Sequence, residues 1–219
     1  MRRGHDGSDL VVTLLRSTRL LPLCASALLG VLVVAGPIAL RVRLDVLDAT
    51  LVLHLAMVTL LSGAAFVLDD PARSLTEVLP IPARAVALFR AGIGLVVVSA
   101  GWLVILWLAP HTTTSEVPYP RAGLVVEAYA LVVWVWAVAA HVAGTRGDGV
   151  GGQVAAPFGL GLACLLAVLP SGLAFFVTPG APEYAESRAR WFVLLATGLA
   201  ALAAALAGRG RLRSRRRRR

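Results

Sequence analysis

The chain has 219 residues, of which 58% are hydrophobic and 15% charged, with a mean hydropathy of +0.80. A soluble domain carries about 25% charged residues, so this chain cannot cover a water-facing surface, and lipid must solvate much of it. The net charge of +9 rests on 21 basic residues, all of them Arg; without Lys there is no P-loop and no Schiff-base or acetyl-acceptor lysine.

Eight of the arginines, Arg209, Arg211, Arg213 and Arg215 to Arg219, form one terminal cluster. A basic run just after an apolar helix marks a cytoplasmic end and attracts anionic lipid, so the charge points away from nucleic acid. Cys24 and Cys164 both sit in apolar segments and neither has a CxxC partner. No disulfide framework or zinc site follows, and both read as small buried residues.

In chain order, Ser8 to Arg19 has helical periodicity. Leu10, Val11, Leu14 and Leu15 share one face, while Asp9, Thr13, Arg16 and Ser17 share another, with Ser8 or Asp9 as the cap. Such a helix lies in the membrane interface. The first apolar run, Leu20 to Leu40, is 21 residues, longer than the roughly 7–15 of a signal-peptide h-region. It is read as a retained span.

Five further spans are predicted, each measured against the ~20 apolar residues that a bilayer core requires. They are Ala49–Leu68, about Val86–Ala109, Ala122–Ala143, Val154–Val177 and Trp191–Ala207. The fifth is broken by Pro157 and by Pro170-Ser171-Gly172, and the sixth is bounded by Arg190 and Arg209. The sequence therefore divides into an amphipathic segment 1–19, a six-helix membrane domain 20–208 and a basic tail 209–219. With a cytoplasmic N-terminus, sixteen arginines fall inside and five (Arg41, Arg43, Arg121, Arg188 and Arg190) outside. The positive-inside bias thus favours both termini in the cytoplasm and an even number of spans.

Three connections are long: Val67–Arg84 inside, and His111–Arg121 and Thr178–Arg190 outside. The first is the densest run of charge, proline and capping residues in the chain. Asp70 with Pro71 makes an N-cap and first turn, and Ser74 with Glu77 makes a capping box one turn later. Pro80 stops that helix and Pro82 starts the next. A short helix over Pro71 to Leu79 is predicted at the cytoplasmic face; it is either a solvated turn or a docking helix for a cytoplasmic subunit.

The pattern Phe66-Val67-Leu68-Asp69-Asp70-Pro71-Ala72, then Pro80-Ile81-Pro82 and Arg84, resembles permease subunits of ABC-type exporters from high-GC bacteria. The layout over nearly the whole chain is similar to that class as well. The resemblance implies that Asp69, Asp70, Pro71, Arg73, Ser74, Glu77, Pro80, Pro82 and Arg84 contact a separate ATPase, with Leu10 to Arg19 as a connecting helix. It also implies a re-entrant extracellular element over Pro170 to Val177, with Phe175 and Phe176.

Two ionisable residues lie inside the fourth span, Glu127 and His141. Fourteen residues apart, they share a helix face but stand ~21 Å apart along the axis, so they cannot touch. Burying such groups is expensive, which makes each a candidate for substrate or proton handling. Glu127 also lies near enough to the outer end to snorkel. His54, near the outer end of the second span, can meet Glu127 across the bundle. Gly92-Ile93-Gly94 and Gly159-Leu160-Gly161 lie in apolar spans, where glycines serve close helix packing rather than phosphate binding. Gly147 to Gly152 reads as a flexible cytoplasmic turn.

No Ser-His-Asp or HExxH arrangement is present. Asp70-Pro71-Ala72-Arg73 is only faintly similar to the Asp-Gly…Ala-Arg of phosphatidyl-alcohol transferases; the Gly is missing and the next span has no Asp. The expectation is an all-α, six-span, non-enzymatic permease subunit without a cofactor or metal, in a bacterial cell membrane. It would work as a homodimer or beside a related permease. A membrane scaffold and a proton-coupled carrier using Glu127 and His141 are the alternatives.

Overall fold

The computed structural model describes residues 18, 20–70, 83–113, 121–146, 150–177 and 181–216. Regular structure among them is helical: α1 (Leu20–Ala39), α2 (Val46–Ala64), α3 (Ala83–Leu108), α4 (Arg121–Arg146), α5 (Gly152–Ala167) and α6 (Tyr184–Arg216), with short 3-10 turns at Ala109–His111 and Ser171–Leu173. One isolated bridge pairs Leu44 with Thr113. The amphipathic segment before Thr18 and the expected helix Pro71 to Leu79 lie outside the described residues.

Five helices, α1, α2, α3, α4 and α6, are long and apolar enough to cross a membrane, the build of a multi-pass membrane protein. The fifth expected span divides differently. Its helix, α5, has 16 residues, about 24 Å at the α-helical rise, short of the ~30 Å hydrocarbon core. It ends before Pro170, whose missing N–H and ring exclude a further turn, and the chain then runs irregularly to Val177. Pro157 leaves the helix unbroken; in its second turn Pro gives up only the bond to the Gln153 carbonyl.

Helix ends also differ from the hydropathy limits, for local reasons. Asp45 caps α2, its carboxylate accepting from Asp48 N at 2.8 Å, so the helix starts at Val46. Helix α6 starts at Tyr184, well before Trp191, so Glu186, Arg188 and Arg190 ride on its first turns rather than in a loop. Helix α1 closes with Val42 N on Pro37 O at 2.9 Å and Arg41 N on Ile38 O at 3.1 Å. Arg41 takes the left-handed conformation, φ 55°, in the place of a Schellman glycine.

Helix α4 is the most buried of the long helices, and α6 the least. Helix α4 packs most extensively on α6, and α1 on α2. The core joins Leu53, Leu60 and Val67 to Trp102, Leu131 and Trp136, and the Trp136 indole donates to Ala64 O at 2.9 Å. Outward faces carry Leu21, Leu28, Val96, Leu103 and Val193, all exposed, as suits helices solvated by lipid. Cys24 and Cys164 belong to those exposed faces, not to the interior expected for them.

Close approach is built on particular glycines. A methyl on Gly63 would run into the Ser26 hydroxyl and Pro22 O of α1, and one on Gly94 would press on Val67 and Trp136. Gly161 has nothing within 4 Å. Gly63→Ala is therefore expected to destabilise the α1–α2 pair by about 1–3 kcal/mol through overpacking. Gly161→Ala should instead be neutral or stabilising by up to ~1 kcal/mol through helix propensity. Thermal unfolding of both variants in detergent decides this; equal midpoints would show that the pair is not limited by that approach.

Candidate functional site: two polar nodes at opposite ends of the bundle

Successive helices alternate in direction, so the two ends of the bundle are chemically distinct. At the end where Leu20 and Arg216 lie, the chain leaving α2 turns at Ala65 to Leu68 and buries Asp69 completely. Its Oδ1 accepts from Gly151 N at 2.7 Å and Gly152 N at 2.8 Å, the first amides of α5. A carboxylate there satisfies donors that no turn of helix can reach and complements the helix dipole. Two glycines are needed at that point. A Cβ on Gly151 would collide with Ala139 O, and one on Gly152 would meet Phe66, Ala65 O and Asp69 Oδ2. The expected flexible turn thus ends in a fitted junction.

Arg90 completes the node from α3. It is 2% exposed, donates from Nη1 to Asp69 O at 3.1 Å and from Nη2 to Asp70 Oδ1 at 2.9 Å. An Arg fork suits this double contact, because a planar guanidinium holds two acceptors at fixed spacing. Residues 69–70 and the first turns of α3 are thereby pinned together. Of the residues expected to couple to a partner, Asp69 and Asp70 sit in this node and Arg84 is exposed on the first turn of α3. Pro71, Arg73, Ser74, Glu77, Pro80 and Pro82 lie outside the described residues.

At the opposite end, Glu127 of α4 is 3% exposed and does not reach out to water. His54 Nε2 of α2 lies 3.1 Å from Glu127 Oε2, and Arg188 Nη2 of α6 lies 2.5 Å from Glu127 Oε1. One carboxylate thus ties three helices. The Arg188 guanidinium stacks 4.8 Å from the Tyr184 ring centroid, and its Nη1 packs where a side chain on Gly123 would stand. Phe176 meets the His54 ring edge-on at 4.4 Å.

The irregular stretch after α5 lies over this triad. The Ser187 hydroxyl and the Trp191 indole, the latter at 2.9 Å, both donate to Phe175 O. Arg190 donates to Ala174 O and Gly172 O, each at 2.8 Å, and to Glu186 Oε2 at 2.9 Å. Phe175 and Phe176 pack edge-on against Trp191 at 5.1 and 5.3 Å. His141 does not join either node; it is exposed four turns away on α4.

The structure brings His54 and Glu127 together, and sequence reasoning missed Arg90, Gly151, Gly152 and Arg188. The signal for Arg188 was Pro182 followed by Glu186 and Arg190 in i,i+4 register, which starts a helix before the hydrophobic run. The signal for Arg90 was an arginine two turns inside an apolar helix, with two aspartates in the loop before it. Among the described residues no cluster of three His, Cys, Asp or Glu side chains could hold a metal ion. No protein-family model matches the chain, and no curated protein or solved structure matches it either.

Removing half of the Glu127–Arg188 pair leaves a buried charge, which costs about 3–5 kcal/mol, whereas replacing both partners by uncharged groups is often neutral. Glu127→Gln and Arg188→Met are each expected to destabilise strongly, and the double variant to recover most of the loss. Unfolding of all three in one detergent gives the coupling, and strict additivity would break the pairing. Asp69→Ala should cost about 1–2 kcal/mol, as for a lost helix cap. Asp69→Asn should fall between, keeping one acceptor without the charge; an Asn variant as stable as wild type shows that the charge is dispensable.

Proposed function

We propose that the chain is the transmembrane subunit of an ATP-driven ABC-type exporter, energised by a separate ATPase that docks on 69–84. In this reading both termini are cytoplasmic, α5 with the stretch to Val177 forms a broken fifth crossing, and the subunit pairs with a copy of itself or a related permease. The setting is a bacterial cell membrane. The observation that carries the proposal is the Asp69–Arg90–Gly151 node. It anchors both feet of the 71–82 segment and the start of α5 at one buried point. A push on that segment is delivered to α2, α3 and α5 together, which is what conversion of ATP-driven closure into helix tilt requires. With no Lys to build a Walker motif in these 219 residues, the proposal gives hydrolysis to another chain.

The buried His54–Glu127 contact favours a second reading, a carrier driven by protons. Arg188 weighs against it, because the guanidinium balances the Glu127 charge without any proton being taken up. The scaffold alternative has no feature of its own in its favour.

Affinity purification from the native membrane tests the proposal. An ATPase chain should copurify, and reconstitution should stimulate its turnover. Arg90→Gln should leave the ATPase bound but reduce that stimulation, on the order of tenfold if the contact transmits most of about 1.4 kcal/mol. Purification free of any ATPase, with no stimulation on mixing, overturns the proposal; proton-driven uptake that disappears in Glu127→Gln establishes the carrier.

A further inference from the structure

Between α4 and α6 a groove of about 440 Å³ opens on the outer surface. That volume is within the ~300–1,000 Å³ of ordinary ligand sites. Its walls are small residues of α6, among them Ala201, Ala204 and Gly208, facing Ala137 and Gly144 of α4. Trp134 closes the inner end, where its indole donates to Leu194 O at 2.9 Å and its ring fills the space over Gly198. His141 and Thr145 are exposed along its outer half.

We infer that this groove seats one acyl chain of an anionic phospholipid, with the headgroup at Arg146. Depth carries the first part. From Trp134 to Thr145 the groove follows eleven residues of helix, ~16 Å, which is the depth of one leaflet of a ~30 Å hydrocarbon core. A groove closed at mid-bilayer and open at the surface fits a lipid tail, whereas a water-soluble ligand could not enter it from the side. Charge carries the second part. The groove reaches the surface beside exposed Arg146, and α6 continues past Gly208 through Arg209, Arg211, Arg213, Arg215 and Arg216. Exposed Arg146 is thus joined by five arginines in the sequence of the last turns of α6, against one acidic residue nearby in sequence, Asp148; each basic residue near a membrane surface attracts anionic lipid by about 1 kcal/mol. The inference depends on the chain crossing a bilayer and is independent of the exporter proposal.

Native mass spectrometry of the full chain, with phosphatidylglycerol or phosphatidylcholine of matched acyl chains added, tests it. Wild type is expected to retain phosphatidylglycerol with at least about tenfold preference, near the ~1.4 kcal/mol that defines a factor of ten. Ala204→Phe fills the groove at an exposed position and should reduce retention several-fold while leaving the helical circular dichroism unchanged. Arg146→Gln should lower the preference between the lipids. Phosphatidylglycerol with brominated chains should quench Trp134, measured as the difference between wild type and Trp134→Phe. Equal retention of the two lipids, or undiminished retention in Ala204→Phe, overturns the inference. So does loss of a cross-linked dimer in Ala204→Phe without loss of lipid, which would give the groove to a second copy.

Discussion

Everything at the terminal end of the bundle depends on one carboxylate, Asp69, accepting the first two amides of α5 from a position with no exposure to solvent. A helix start buried without such an acceptor would leave donors stranded at severe cost. The contact fixes α5 against the end of α2, and Ala139 of α4 then leaves room for nothing larger than glycine at 151. Arg90 adds the third helix by gripping the Asp69 carbonyl and the Asp70 carboxylate. Three separate segments of sequence are therefore held by one short dipeptide, Asp69-Asp70.

The node at the other end uses the same chemistry with a different result. Glu127 is shared by a histidine and an arginine from two further helices, under an aromatic roof of Phe176, Trp191 and Tyr184. Charge is balanced inside the site, which lets a carboxylate stay at this depth without water. The first node joins α2, α3 and α5; the second joins α2, α4 and α6. Helix α4 also closes on the first node, through Ala139 against Gly151 and the Trp136 indole on Ala64 O, so α2 and α4 are party to both and any relative movement of the two ends is registered on them.

Composition alone points to the solvent, and apolar run lengths locate the six α-helices of the described residues, because burial in lipid needs long uninterrupted segments. The limits of those helices were less legible. Hydropathy stops at charge and so puts Arg188 and Arg190 in a loop, although the i,i+4 pair Glu186–Arg190, with Arg188 between them, belongs to α6. Glu127 was recognisable as a buried ionisable residue, and His54 as a partner within reach. Arg188 was not, because its partner is 61 positions away in sequence and nothing local records the pairing. Asp69 and Asp70 stood out as charges beside a proline, but their role as a cap for α5 needs the fold, since Gly151 is 82 residues distant. The exposure of Cys24 and Cys164 shows the complementary limit: an apolar segment says that a residue avoids water, not whether lipid or protein surrounds it.

The short length of α5 has a mechanical consequence. The backbone after α5 has no helix of its own to satisfy it, and the carbonyls of Gly172, Ala174 and Phe175 accept instead from Arg190, Ser187 and Trp191. These three side chains lie within little more than one turn of α6. The stretch after α5 is therefore not a free flap on a hinge. It is a splint whose three carbonyls are all held by α6, and through Phe176 on His54 it hands any movement of α6 to α2.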